Sequence, residues 1–197
     1  MLLNQRYQIE QEIVAGSDSK VYKARDCLQN YSVLIKEFLP SAMQNWKRFQ
    51  LIEREARILA QLNHIEIPNF VDFFTLGEEG QQTLYLVSKW IHGESLAEKL
   101  NAGWRASLQE VYDLAEMALR LLMYIHAFNP PIVHRDIKPS NLMLCTYNRL
   151  FLLDFGGVQE VMESQGAGGS TLVGTMGYMP SEQVMGRAVP ASDLYAL

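Results

Sequence analysis

The sequence predicts an α+β chain in two lobes: a small antiparallel sheet with one main helix over residues 1–89, and a mostly helical lobe over 90–197. Three observations predict it. Apolar and polar residues alternate in short runs through the first 38 residues and again over 69–88, with polar turns between them. An amphipathic stripe, Phe49, Ile52, Ala56 and Leu59, recurs at helical spacing between those two groups of strands. Further on, Ser107-Leu108-Gln109-Glu110 forms a capping box ahead of a long apolar stripe, the mark of a helix start.

Taken in order, strands are expected over 7–13, 20–25 and 31–38, and a helix over 45–63. Strands over 69–76 and 82–88 follow, joined by a Glu78-Glu79-Gly80 turn, and complete the sheet. Leu108, Val111, Ala115, Ala118, Leu122 and Ile125 predict one long buried helix, which Asn129-Pro130-Pro131 stops because proline cannot continue it. A polar loop over 134–141 then leads into apolar runs at 142–145 and 150–153, the pattern of a tight hairpin. Residues 157–177, rich in Gly, Ser and Thr, suit a mobile segment offering the hydroxyls of Ser164, Ser170, Thr171 and Thr175.

Composition narrows the function. A chain of 197 residues with 48% hydrophobic residues buries one substantial core or two small ones. Its net charge of −5 opposes nonspecific nucleic-acid binding, which needs dense neutralisation of phosphates by Lys and Arg. Cys27 and Cys145 lie far apart with no metal-ligand spacing, so reduced packing cysteines and a cytoplasmic location are expected. No signal-peptide pattern opens the chain, and no run within it approaches the length of a membrane span.

The chemistry concentrates in His134-Arg135-Asp136-Ile137-Lys138-Pro139-Ser140-Asn141, read with Asp154-Phe155-Gly156. Phosphoryl transfer asks a protein mainly for placement and counter-charge. A carboxylate (Asp136) orients the attacking hydroxyl, an amide (Asn141) and a second carboxylate (Asp154) hold Mg²⁺, and a lysine (Lys138) neutralises the group in transit. Taken singly, each is as well explained as a turn former or strand end. The ordered set is not.

These two motifs match the catalytic-loop and Asp-Phe-Gly signatures, so the chain resembles the eukaryotic-like, bacterial-type serine/threonine protein kinases. The resemblance implies a bilobal kinase fold with ATP and Mg²⁺ as cofactors. It implies that Ile13 to Val21 is the glycine-rich loop, of which only the middle glycine, Gly16, is kept, with Val14 and Ser19 at the other two positions. Val33-Leu34-Ile35-Lys36 matches the strand whose lysine holds the α- and β-phosphates, and Glu55 the helix glutamate that pairs with it. Val21, Leu34 and Met143 would sandwich adenine. Ser88 would be a small gatekeeper, and the hinge from Lys89 through Ile91 would present backbone to the adenine edge.

The resemblance further implies that Thr175 bridges Asp136 and Lys138, and that Arg135 pairs with a phosphate on the activation segment. Thr175 and Lys138 together suit serine or threonine acceptors. Glu182 falls at the family's buried glutamate, and Asp193 at the aspartate that braces the catalytic loop. On this reading the helical lobe is incomplete, because the family's later helices are not in the sequence.

The leading expectation is therefore a kinase that phosphorylates Ser or Thr hydroxyls of a protein partner, with no nucleic acid and no membrane segment involved. A kinase-like module that binds and regulates without catalysis is the alternative. It is motivated by the reduced glycine loop, by Leu34 where the family has alanine, and by the incomplete lobe. A small-molecule kinase fits the threonine-bearing activation segment less well.

Overall fold

The computed structural model describes residues 2–43, 46–78, 81–161 and 174–197. The hydroxyls of Ser164, Ser170 and Thr171, the Glu79-Gly80 part of the expected turn and the Asn45 start of the expected helix lie outside them. The chain forms two compact units, Met1–Asn63 with Pro68–Ile91, and His64–Ile67 with His92–Leu197.

In the first unit, β1 (Tyr7–Ala15), β2 (Ser19–Asp26), β3 (Tyr31–Phe38), β4 (Phe70–Leu76) and β5 (Thr83–Lys89) form one antiparallel sheet in the order β1-β2-β3-β5-β4. Their bounds differ from the expected ones by no more than two residues. Side chains alternate between the faces of a strand, and here the alternation separates two cores. Tyr7, Ala24, Val33, Ile35, Tyr85 and Val87 pack on one face, where Phe74 stacks between Tyr7 and Tyr85. Phe38, Leu84 and Leu86 pack on the other, under α2 (Trp46–Gln61), which contributes Ile52 and Ala56.

This second face decides the position of Lys36. It lies two residues before Phe38, so it shares the side of β3 that α2 covers. β3 is also the middle strand of five, so Lys36 is not an edge lysine. A short helix, α1 (Pro40–Met43), which no expectation included, begins on the proline after Leu39. The start of β1 is fastened by Asp26, a buried carboxylate that accepts from Arg6 Nη2 at 2.7 Å and from the Leu28 and Gln29 amides. The Arg6 guanidinium holds that carboxyl below the usual carboxylate range.

The second unit contains β6 (Gly93–Ser95), α3 (Leu96–Asn101), α4 (Leu108–His126), β7 (Ile132–Val133), β8 (Leu142–Cys145), β9 (Leu150–Leu152), β10 (Gln159–Glu160), α5 (Ser181–Val184) and α6 (Pro190–Ala196). β6-β8-β9 make one small sheet, and β7 pairs with β10. The hairpin expected at 142–153 is β8 and β9. His64–Ile67 joins this unit through the Glu66 carbonyl, which accepts from Leu152 N at 3.1 Å, and through the Glu66–Arg149 ion pair.

α4 starts at the expected capping box, with Glu110 N donating to Ser107 Oγ and Ser107 N to Glu110 Oε2. Its burial corrects the sequence reading. Only the second half is buried, through Ala118, Leu121, Leu122 and Ile125, whereas Leu108 is 71% and Val111 50% exposed. α4 packs against β7, β9 and α6. Periodicity identified the helix but overstated the length of its cover.

Candidate functional site

The candidate residues fall into two sets, one in each unit. In the first, Lys36 Nζ meets Glu55 Oε1 at 2.5 Å, and Glu55 is almost wholly buried. Strand alternation aims the lysine at α2, and the helix register turns Glu55 toward the sheet together with Ile52, Ala56 and Leu59. A buried carboxylate needs such a partner, because desolvation otherwise disfavours its charge.

Also in the first unit, the turn between β1 and β2 closes through Gly16 N donating to Ser19 O at 2.8 Å. A Cβ on Gly16 would stand 3.2 Å from that same oxygen, so the retained glycine sits at the tightest point of the turn. Ile13 is exposed and Val21 half-buried. Leu34 lies opposite Ser88 in the β3–β5 ladder, and Ser88 is buried. Lys89 reaches over the Tyr31 ring, and Ile91 is half-buried.

In the second unit, β7 delivers the chain to His134, and the loop returns through a 3-10 turn, Pro139–Asn141, into β8. Between them four side chains converge. Asp136 Oδ1 accepts from Thr175 Oγ1 at 2.7 Å, while Lys138 Nζ donates to that hydroxyl at 2.6 Å and lies 2.8 Å from Asp136 Oδ2. Asn141 Nδ2 donates to Asp136 Oδ2 at 2.9 Å and to the Asp136 carbonyl at 2.8 Å. Thr175 thus bridges Asp136 and Lys138, as the resemblance implied.

Asp154 stands just past β9, linked to this group through the backbone: Leu153 N donates to Asn141 O at 2.8 Å. Its own backbone is left-handed, with φ 59°, and its carboxylate is exposed. The following Phe155 is buried edge-on against the His134 ring. Asp154 therefore points outward because its neighbour is anchored inward. The amide nitrogen of Asn141 is committed to Asp136, so only its amide oxygen could serve as a metal ligand. With the Asp154 carboxylate it makes a pair of hard oxygen donors, the chemistry that Mg²⁺ takes. Met143 is half-buried on β8, opposite Ser95 and Phe151.

The loop's backbone is fixed from beneath. The buried Asp193 carboxylate of α6 accepts from His134 N and Arg135 N, each at 2.8 Å, and lies 2.9 Å from His126 Nε2. Gln183 Nε2 donates to Arg135 O at 2.6 Å. These bonds hold Arg135 at φ 68°, a conformation that costs a non-glycine residue energy and persists only where its surroundings impose it. The Arg135 guanidinium is buried and donates to Gly157 O at 2.5 Å and to Gln159 Oε1 at 2.6 Å. It therefore braces the start of the segment directly after Asp-Phe-Gly; the phosphate implied for Arg135 belongs to a segment that lies mostly outside the described residues.

His134 is wholly buried, and burial pushes its pKa below the ordinary 6.5. Its neutral ring lies 3.1 Å from Leu153 O through Nε2 and 3.4 Å from Asp136 N through Nδ1. A ring that donates at Nε2 and accepts at Nδ1 satisfies both contacts. Sequence reasoning gave His134, Gln159 and Gln183 no role. For Gln159 and Gln183 no local signal exists, since their partners lie 24 and 48 positions away. The β6–α3 corner was also missed, although Ser95 and Glu98 form a capping box of the same kind as Ser107 and Glu110.

The protein kinase domain family matches residues 7–197. Among curated proteins, the chain is 35% identical over its full length to the serine/threonine-protein kinase PknA of Nostoc, covering 36% of that protein. It is 37% identical to serine/threonine-protein kinase F of Synechocystis over 83% of the chain and 36% of the relative. It is 31% identical to PknA of Mycobacterium tuberculosis over 99% of the chain and 45% of the relative. The chain thus spans between a third and a half of the length of these relatives.

Proposed function

The chain belongs to the protein kinase domain family, and from that premise we propose that it transfers the γ-phosphate of ATP to serine or threonine hydroxyls of a protein. The observation that carries this reading is the closed ring of Asp136, Lys138 and Thr175, with Asn141 bonded to Asp136. Both Asp136 oxygens are held by donors, so the carboxylate is oriented before an acceptor arrives.

In this mechanism Asp136 receives the proton as the acceptor oxygen bonds to the γ-phosphorus and the bond to the β,γ-bridging oxygen breaks, releasing ADP. Lys138 steadies the negative charge of the group in transit. Lys36, held by Glu55, takes the α- and β-phosphates. Asn141 and Asp154 would hold Mg²⁺, which would supply counter-charge to the phosphates. Val21, Leu34 and Met143 enclose adenine, with Ile13 and Gly16 in the loop over the nucleotide, Ser88 as gatekeeper and Lys89 to Ile91 as the hinge. A cytoplasmic site of action goes with the need for ATP. Among the described residues no helix is long and apolar enough to cross a membrane.

The test is Mg²⁺-dependent transfer of labelled γ-phosphate to a generic Ser/Thr protein. Loss of the general base in Asp136→Asn should lower kcat by about 10²- to 10⁴-fold. If wild type and Asp136→Asn are equally silent while Mg-ATP still raises the melting temperature, the chain is a nucleotide-binding module and the transfer reading is wrong.

A further inference from the structure

Within the first unit, the turn between β1 and β2 carries a carboxylate at a place that the proposed function assigns to phosphate binding. Asp18 follows Gly16 and Ser17 there, and a bare carboxylate beside a triphosphate would repel it. In the structure that carboxylate is occupied on both oxygens. Arg48 Nη1 reaches Asp18 Oδ2 at 2.7 Å, and Ser41 Oγ donates to Asp18 Oδ1 at 3.3 Å. The main chain is held as well, with Leu39 N donating to Asp18 O at 2.9 Å.

Arg48 sits in the early part of α2, about two helical turns before Glu55, so both side chains project from one face of that helix. α2 is thereby fixed to the sheet twice: by Glu55 to Lys36 on β3, and by Arg48 to the β1–β2 turn. The second clasp does two things. It cancels the charge of Asp18, and it couples the turn to the helix that orients Lys36.

We infer that Arg48 is a positioning residue for nucleotide binding, which holds Asp18 in an ion pair so that a carboxylate in the phosphate-covering turn is compatible with a polyanionic ligand. This rests on the kinase reading for the identity of the ligand. Arg48 itself touches no reacting atom.

The charge argument makes an asymmetric prediction that a purely structural ion pair does not. In Arg48→Ala the Asp18 charge is left uncompensated, so Mg-ATP should bind about three- to tenfold more weakly, with the larger part of any kinetic effect in KM rather than kcat. Arg48→Lys should restore most of the affinity. Arg48→Ala combined with Asp18→Asn should also recover it, because the repelling group is gone. The experiment measures Kd for Mg-ATP by calorimetry on the full chain for all four proteins, with melting temperature without nucleotide as a control for folding.

Equal affinity in wild type and Arg48→Ala overturns the inference and leaves the kinase reading intact. Failure of Asp18→Asn to recover the affinity overturns it too. Weakened binding in Arg48→Ala that Asp18→Asn recovers, in a protein that transfers no phosphate, supports the inference while the transfer reading fails. A wild type that binds no Mg-ATP overturns both.

Discussion

Two loops of this molecule, carrying the carboxylates of Asp136 and Asp18, are held in opposite ways. The loop over 134–141 rests on buried groups: Asp193 takes two of its amides, Gln183 takes a carbonyl, and His134 is closed off from solvent. The turn between β1 and β2 is fixed at its surface by Asp18 and Arg48, whose side chains are 33% and 42% exposed. Buried bonds fix a geometry once, because each unsatisfied group would cost desolvation energy. Exposed ion pairs exchange readily with water and hold loosely. The contrast separates a loop whose backbone is fixed by buried partners from a turn held only at its surface.

The contrast breaks most completely at Asp193. Removing its carboxylate leaves the His134 and Arg135 amides without their acceptor in a buried site, and Asp193→Ala should cost about 3–5 kcal/mol in urea unfolding. No single substitution in the β1–β2 turn should approach that loss. The next largest effect is expected at Gly174, which has φ +130°. A Cβ there would lie 2.6 Å from Gln183 Nε2 and 2.8 Å from Arg135 O, in the path of the bond between them. Gly174→Ala should lower stability by about 2–3 kcal/mol, seen as a lower melting temperature. Gly177 has φ +95° with open space around it, so Gly177→Ala should cost only about 1–2 kcal/mol of backbone strain.

The smallest effect is a pH dependence confined to the buried loop. His134 has a folded pKa below 6.5, so below that pH the unfolded chain takes up a proton that the folded chain refuses. Its contribution is constant above about pH 6.5, and stability is lost as pH falls from there toward the depressed folded value, by at most about 1.4 kcal/mol per pH unit. Urea midpoints between pH 7.5 and 5.5 should fall in the wild type. The fall should be shallower in His134→Asn, which has no imidazole to titrate.

How much of this was legible in the sequence follows from the range of the forces involved. Alternation gave the five strands nearly to the residue. The capping box gave the start of α4. The cluster at Asp136 was legible because Asp136, Lys138 and Asn141 lie within one short loop, so their convergence is local. What escaped depends on distant partners. The exposure of Leu108 and Val111 could not be read from the stripe itself, because the elements that pack on α4, namely β7, β9 and α6, come later in the chain. Similarly, β6 exists because it meets β8 more than forty residues on, against a Gly93 whose added Cβ would stand 2.6 Å from Leu144 O. The bonds of the Arg135 guanidinium to Gly157 O and Gln159 Oε1 escaped for the same reason, since these acceptors lie 22 and 24 positions further along the chain.

The alternation of β3 has a consequence for how such a chain can change in length. Lys36 meets Glu55 because an even number of steps separates it from Phe38 and from the other residues that α2 covers. One residue inserted between Lys36 and Phe38 would turn the lysine to the opposite surface of the sheet, among Tyr7, Tyr85 and Val87, and take it away from Glu55. Two inserted residues would restore its side but move it along the strand by nearly 7 Å, roughly the rise of two residues. Drift in length is therefore tolerable in the turns on either side and forbidden inside this strand by simple parity.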